Sequence, residues 1–235
     1  MYFLLSGEGA SDIGRCSSTA EVCGGVNFKV GPMSIIVKQV VEKLRNYSIF
    51  DCCGFVSERN LSQKARGLKV AKKEMKLPGK RSAKETRYFF NNARALARIA
   101  KEYSKKIDGD TVVAVLFRDS DGTASAGRGL WSEKQKSMLD GFAEESFDFG
   151  VPMIPKPKSE AWLLCALKSA SYQSCEALEE RSGNDSSPKS LKKDLGKLNL
   201  STADICSKLN RGEIDIDKIN MQSFNSFRSR LKDVI

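Results

Sequence analysis

The chain has 235 residues, with 39 Lys and Arg against 29 Asp and Glu, a formal net charge of +10 and no histidine. The missing histidine removes Ser-His-Asp and Cys-His relays, HExxH zinc sites and His-metal nucleases, so acid–base or metal chemistry must fall to Asp, Glu, Lys, Tyr or Cys. Hydrophobic residues make up 40%, enough for a core in one large domain or one domain with a small appendage. The longest apolar runs, TVVAVLF and AWLLCAL, fall far short of the ~20 apolar residues of a membrane span.

In chain order, residues 2–5 (YFLL) read as a short buried strand, too brief an apolar stretch for a secretion signal. Residues 7–34, rich in Gly, Ser and Cys, read as a loop or extended connection. Residues 34–46 place Ile35, Ile36, Val40, Val41 and Leu44 at helical spacing, with Ser34 as a cap. Residues 48–56 read as a second strand with Cys52 and Cys53 on opposite sides. Residues 60–81 are basic and break at Pro78-Gly79. A long helix follows over 82–106, opened by a capping box of Ser82 and Glu85. Residues 111–117 (TVVAVLF) have the continuous β-branched character of a buried parallel strand. A Gly/Ser/Ala loop at 122–132, a helix at 132–145, a fourth strand over 149–154 and a helix at 159–169 come next. Beyond 170 only short amphipathic helices are expected.

Alternating strands and helices predict an α/β fold: a central, mostly parallel four-stranded sheet flanked by helices, with a C-terminal helical extension. The expected division is 1–169 for the sheet domain and 170–235 for the extension. The seven cysteines form no CxxC pair, which argues against a zinc ribbon, and they read as free, mostly buried thiols in a reducing cytoplasm.

The positive charge is local. Residues 58–106 hold 16 Lys and Arg against 4 Asp and Glu, while the remainder carries 23 against 25. Such a one-signed segment suits the phosphates of DNA or RNA, and such contacts position a backbone without reading sequence. The candidate contacts are Lys64, Arg66, Lys69, Lys72, Lys73, Lys76, Lys80, Arg81 and Arg87. Tyr88, Phe89 and Phe90 follow, where aromatic rings either stack on bases or, for Phe89 and Phe90 above all, fill the core.

Ligands of parallel α/β sheets gather at the carboxyl ends of strands. Three strand ends here carry acids: Glu8 and Asp12 in GEGASD, Asp119 and Asp121 in RDSDGT, and Glu160 in PKPKSE. Each alone could be a turn former or a helix-start acid. Together, on one sheet edge, they make an oxygen-rich cluster of the kind Mg²⁺ or Mn²⁺ prefers. The glycines of GEGASDIG lack the Gly-Lys-Ser/Thr of a P-loop, and no GxGxxG fingerprint is present.

Glu8 after the first strand and the Asp119-x-Asp121 pair after a later one resemble the TOPRIM domain of topoisomerases, primases, maturase-type ribonucleases and OLD-type nucleases. The segment PKPKSEAWLL (155–164), Pro188-Lys189 and the aromatic tail at Phe224 and Phe227 are similar to small prokaryotic TOPRIM-like proteins, several of them associated with phage defence beside an ATPase partner. The resemblance implies a Mg²⁺- or Mn²⁺-dependent nuclease. Glu8, Asp119 and Asp121 would be its metal ligands and Glu160 a further one. Glu8 would also serve as general acid/base, and Lys158 or Arg118 would meet the phosphate. It equally allows a latent subunit that binds nucleic acid and an ATPase, with the C-terminal helices either docking that partner or packing on the sheet. A homo-oligomer is compatible with either. LFRDSDGT also resembles the first motif of haloacid-dehalogenase-like phosphatases, with Asp119 as nucleophile and Asp121 as acid/base. That motif usually opens its fold, however, and Glu8 would then have no role.

Overall fold

The structure is a computed structural model, and it describes residues 1–46, 48–68, 84–120, 131–167 and 175–235. Four strands run parallel in the order β5 (Cys53–Val56), β1 (Tyr2–Gly7), β6 (Val112–Phe117), β7 (Gly150–Met153). A two-residue strand, β3 (Cys23–Gly24), pairs antiparallel with β5 and makes the sheet five-stranded and mixed. The four predicted strands all lie in this sheet. The second is shorter than expected, because residues 50–52 form a 3-10 turn before it.

Strand side chains alternate between faces, and each face meets its own helical layer. Phe3, Leu5, Val113, Val115, Phe117, Val151 and Met153 belong to one core. It is covered by α1 (Pro32–Arg45), α5 (Ser159–Leu167), α8 (Thr202–Asn210) and α9 (Gln222–Val234). Leu4, Val56, Val112, Ala114 and Leu116 face the other core, under α2 (Glu58–Arg66), α3 (Lys84–Lys106) and α4 (Trp131–Glu144). β6 is buried along its whole length because it sits between the two layers, which is why its sequence is apolar without alternation. The short α6 (Glu176–Glu179) and α7 (Leu191–Gly196) complete the chain's helices among the described residues.

Helices beyond residue 170 pack on the sheet. Trp162 of α5 is fully buried against Phe224 and Phe227 of α9, with ring centroids at 5.1 and 5.9 Å, and its indole N–H donates to Ser223 Oγ at 2.8 Å. Leu191, Phe224, Phe227 and Leu231 are buried in the same core as β1, whereas Leu198 is exposed.

Three local expectations change. The 7–34 segment is structured: a π-type turn (Gly9–Ile13) leads into β2 (Gly14–Cys16), which pairs antiparallel with β4 (Phe28–Val30). Strands this short carry too few residues for a period-2 signal. α1 starts at Pro32 behind a Gly31 cap, and Pro suits a first helical position. Ser34 therefore lies inside the first turn, where its hydroxyl donates to the Ile13 carbonyl. Finally, four of the seven cysteines are joined, as Cys16–Cys23 and Cys165–Cys175, leaving Cys52, Cys53 and Cys206 as thiols. Folding brings these pairs to Cα separations of 6.0 and 5.5 Å, within disulfide reach. The expectation of free thiols therefore holds for Cys52, Cys53 and Cys206 and not for the four joined cysteines. No described helix is long and apolar enough to cross a membrane. Ser82, half of the expected capping box on α3, lies outside the described residues.

Candidate functional site

The carboxyl edge of the parallel sheet is built from backbone outward. β1 and β6 approach so closely at their ends that a Cβ on Gly7 would lie 2.5 Å from the Phe117 carbonyl oxygen. This contact sets Glu8, the next residue, directly beside the end of β6. The ladder between β6 and β7 runs on past both strands: Arg118 N–H donates to the Met153 carbonyl at 3.0 Å and Ser120 N–H to that of Pro155 at 3.1 Å. The Lys134 ammonium, 1% exposed, donates to the Ser120 carbonyl at 2.8 Å and pins the same segment from α4.

On this frame the acids form one connected chain. Glu8 accepts from Asp119 N–H at 2.9 Å with one carboxylate oxygen and from Arg118 Nη1 at 2.8 Å with the other. Asp119 Oδ1 accepts from Ser159 N–H at 2.9 Å, at the start of α5, where the helix dipole favours an anion. Ser159 Oγ donates to Asp12 Oδ1 at 2.7 Å. Asp12 reaches this position through the π-type turn, which needs a left-handed residue at Gly9 (φ 79°); a Cβ there would meet Asp12 Oδ2 at 2.4 Å. Three strand ends, after β1, β6 and β7, are thus joined through four side chains and two backbone N–H groups.

Arg118 is the cationic centre. It is 6% exposed and pairs with Glu8 at 2.8 Å and Glu58 at 3.0 Å. The ring of Tyr88, from α3, lies with its centroid 4.0 Å from the guanidinium carbon, and Nη2 also donates to the Tyr88 hydroxyl at 2.5 Å. Two carboxylates around one guanidinium leave this side of the edge net negative.

Glu160 stands next to Ser159 in the first turn of α5. Burial holds its carboxyl above the ordinary Glu range, and the nearby Asp12 carboxylate pushes the same way, against Lys158. Its Oε2 is buried with no hydrogen-bond partner. The Lys158 ammonium donates to Asp185 Oδ1 at 2.9 Å, which holds the Asp185 carboxyl below its usual range.

The predicted residues therefore divide. Glu8, Asp119 and Arg118 meet directly, Asp12 joins them through Ser159, and Glu160 and Lys158 lie alongside. Asp121 falls outside the described residues, as do Lys69, Lys72, Lys73, Lys76, Lys80 and Arg81. Of the remaining basic candidates, Arg66 and Arg87 are exposed, while Lys64 is bound to Glu102 at 2.7 Å with Glu21 at 3.8 Å. Phe89 is core at 6% exposure, whereas Tyr88 is 39% exposed. Sequence reasoning missed Glu58, Asp185 and Ser159. Glu58 had a usable signal, an acid directly after a strand end; Asp185 sits in a polar loop without one.

An all-oxygen donor set suits a hard cation, and a cation would satisfy the partnerless Glu160 Oε2. Among the described residues, no three His, Cys, Asp or Glu side chains gather closely enough to hold an ion; Asp121 lies outside them. No family model, curated protein or solved structure matches this chain, so its functional reading rests on these residues and their geometry.

Proposed function

We propose that the chain is a TOPRIM-like, metal-dependent phosphodiesterase that cuts DNA or RNA, with the carboxyl edge of β1, β6 and β7 as its active site. The carrying observation is the connected chain Glu8–Asp119–Ser159–Asp12, which joins three acid-bearing strand ends at one edge. Two of its three links, Glu8 to Asp119 and Ser159 to Asp12, join residues more than a hundred positions apart in sequence.

Glu8, Asp119 and Asp121, with Glu160, would hold Mg²⁺ or Mn²⁺. Such an ion polarises a phosphate and lowers the pKa of a bound water. The chain's own groups do the rest. Asp119 and Asp12 are fixed by Ser159, so the acids need little reorganisation. Arg118 now neutralises Glu8; a phosphate competing for its guanidinium would take up that charge and release the carboxylate. Lys158 is paired with Asp185, and a phosphate would have to compete with that carboxylate for its ammonium. The 58–106 segment supplies backbone contacts, Arg66 and Arg87 among them.

Glu8→Ala and Asp119→Ala should abolish Mg²⁺-dependent cleavage of labelled DNA or RNA while the protein stays folded; full activity in either variant sinks the assignment. The Glu8–Arg118 ion pair favours one second reading, a latent subunit that binds nucleic acid and becomes active, or regulates, only beside an ATPase partner, as in a phage-defence system. Titrating Mg²⁺ and Mn²⁺ into the chain alone separates the two: cleavage supports the enzyme, binding without cleavage in both metals supports the latent subunit.

A further inference from the structure

We infer that Tyr88 is a stacking platform for an unpaired nucleobase beside the acidic edge, so that the substrate is taken at a single-stranded or flipped-out nucleotide. This inference rests on the nucleic-acid reading above and narrows its substrate class.

The helix pattern does not account for Tyr88. α3 buries Phe89, Ala93, Leu96, Ala97 and Ala100 in the core, and Tyr88 precedes that face and is 39% exposed. An aromatic ring left in water at a helix surface gains nothing from burial. Yet this ring is held at two points. One face lies against the Arg118 guanidinium, 4.0 Å from ring centroid to carbon. The hydroxyl accepts from Arg118 Nη2 at 2.5 Å and lies 3.4 Å from Glu58 Oε1. Arg118 is itself fixed by Glu8 and Glu58, so the ring has little freedom left to lose on binding.

The result is a flat, oriented, partly exposed aromatic surface, separated from Glu8 by a single guanidinium. Exposed Arg87 is its neighbour in the chain. A partly exposed aromatic ring against a guanidinium that is itself paired with Glu8 fits a base that stacks while its phosphate competes for Arg118. Paired bases within a duplex present no free face to such a ring, so the platform selects unpaired nucleotides.

The test uses the full chain in EDTA, where binding is read without cleavage. Fluorescence anisotropy would compare a labelled single strand, the same strand carrying abasic sites, and a duplex of equal length. The proteins are the wild type, Tyr88→Phe, which keeps the ring, and Tyr88→Leu, which covers Arg118 without a π face; a matching thermal transition confirms that each is folded. Wild type should prefer the intact single strand to both other ligands. Tyr88→Leu should lose affinity for it by about 5- to 150-fold, the worth of one stacked base. Tyr88→Phe should bind within about threefold of wild type on the same stacking grounds, and all three proteins should bind the abasic strand alike. Equal binding of the intact strand by wild type and Tyr88→Leu overturns the platform and leaves the nucleic-acid reading standing. So does an equal loss on intact and abasic strands. If the wild type binds neither strand nor duplex, the nucleic-acid reading itself is overturned.

Discussion

Glu160 offers the sharpest physical test of the acidic edge. Its carboxyl is raised above the ordinary Glu range by burial and by Asp12, and Oε2 has no partner, so folding disfavours the charged form. The sign follows from linkage. Below the ordinary Glu pKa of ~4.3 both folded and unfolded states hold the proton and the penalty is absent. As pH rises from there through the raised folded value, the unfolded chain releases its proton first, so stability falls; above the folded value the full penalty remains. Glu160→Gln keeps the shape and removes the charge. Leaving a buried polar group unsatisfied costs about 1–3 kcal/mol, and the group's partial exposure places this case near the lower end. A gain of ~1 kcal/mol corresponds to roughly 2–4 °C in Tm for a chain of this size. Thermal unfolding in EDTA should therefore show Glu160→Gln more stable than wild type at pH 7, with the difference vanishing by pH 4. Adding Mg²⁺ or Mn²⁺ should reverse the order: an ion at about 100 times its Kd stabilises the wild type by ~2.7 kcal/mol and the variant much less. A variant less stable than wild type in EDTA at neutral pH, or a difference that ignores pH, would refute the reasoning.

Other expectations concern the frame that carries the site. Glu145 closes α4 onto α3: it binds Arg94 and Arg98, each at 2.7 Å, and Arg94 has a side chain only 7% exposed. Burial works against the Glu145 charge, but hydrogen bonds from Arg98 and Arg94 outweigh it and hold the carboxyl below the ordinary range. Its stabilisation is thus complete above ~4.3 and lost as pH falls through the lower folded value. Glu145→Ala, which removes the carboxylate paired with buried Arg94, should cost about 3 kcal/mol in urea unfolding at pH 7. Gly141→Ala should destabilise by about 1–3 kcal/mol despite the helix-propensity gain of ~1 kcal/mol, because the added Cβ would lie 2.4 Å from the Phe90 carbonyl oxygen and 2.9 Å from Ala93 Cβ; a gain in Tm would show that α3 and α4 can separate freely. Phe224→Ala should cost about 3–5 kcal/mol, and residues 1–169 alone should fail to give a cooperative transition, since Trp162 and the Phe3–Val113 face lose their cover.

Much of the architecture was legible in the residues because it depends on local pattern. The β-branched run 112–117 had to be a doubly buried strand, and the helix face of Ile35, Ile36, Val40 and Val41 had to find a sheet. The placement of Glu8, Asp119 and Glu160 on one edge was legible too, since strand ends in a parallel sheet share a side. What lay beyond reach was pairing between distant residues. Cys16 and Cys23 read as free thiols until short strands brought them together. Lys64 read as a phosphate contact until α2 met Glu102 on α3, and Lys158 until Asp185 arrived from the loop between α6 and α7. Sequence by itself determined the residue chemistry: carboxylates without histidine, and a cationic segment beside a slightly acidic remainder. Only the tertiary structure decided that Arg118 sits inside those carboxylates under Tyr88. Such a contact joins residues 8, 58, 88 and 118, and long-range neighbours of this kind are set by how layers pack, which no local period records.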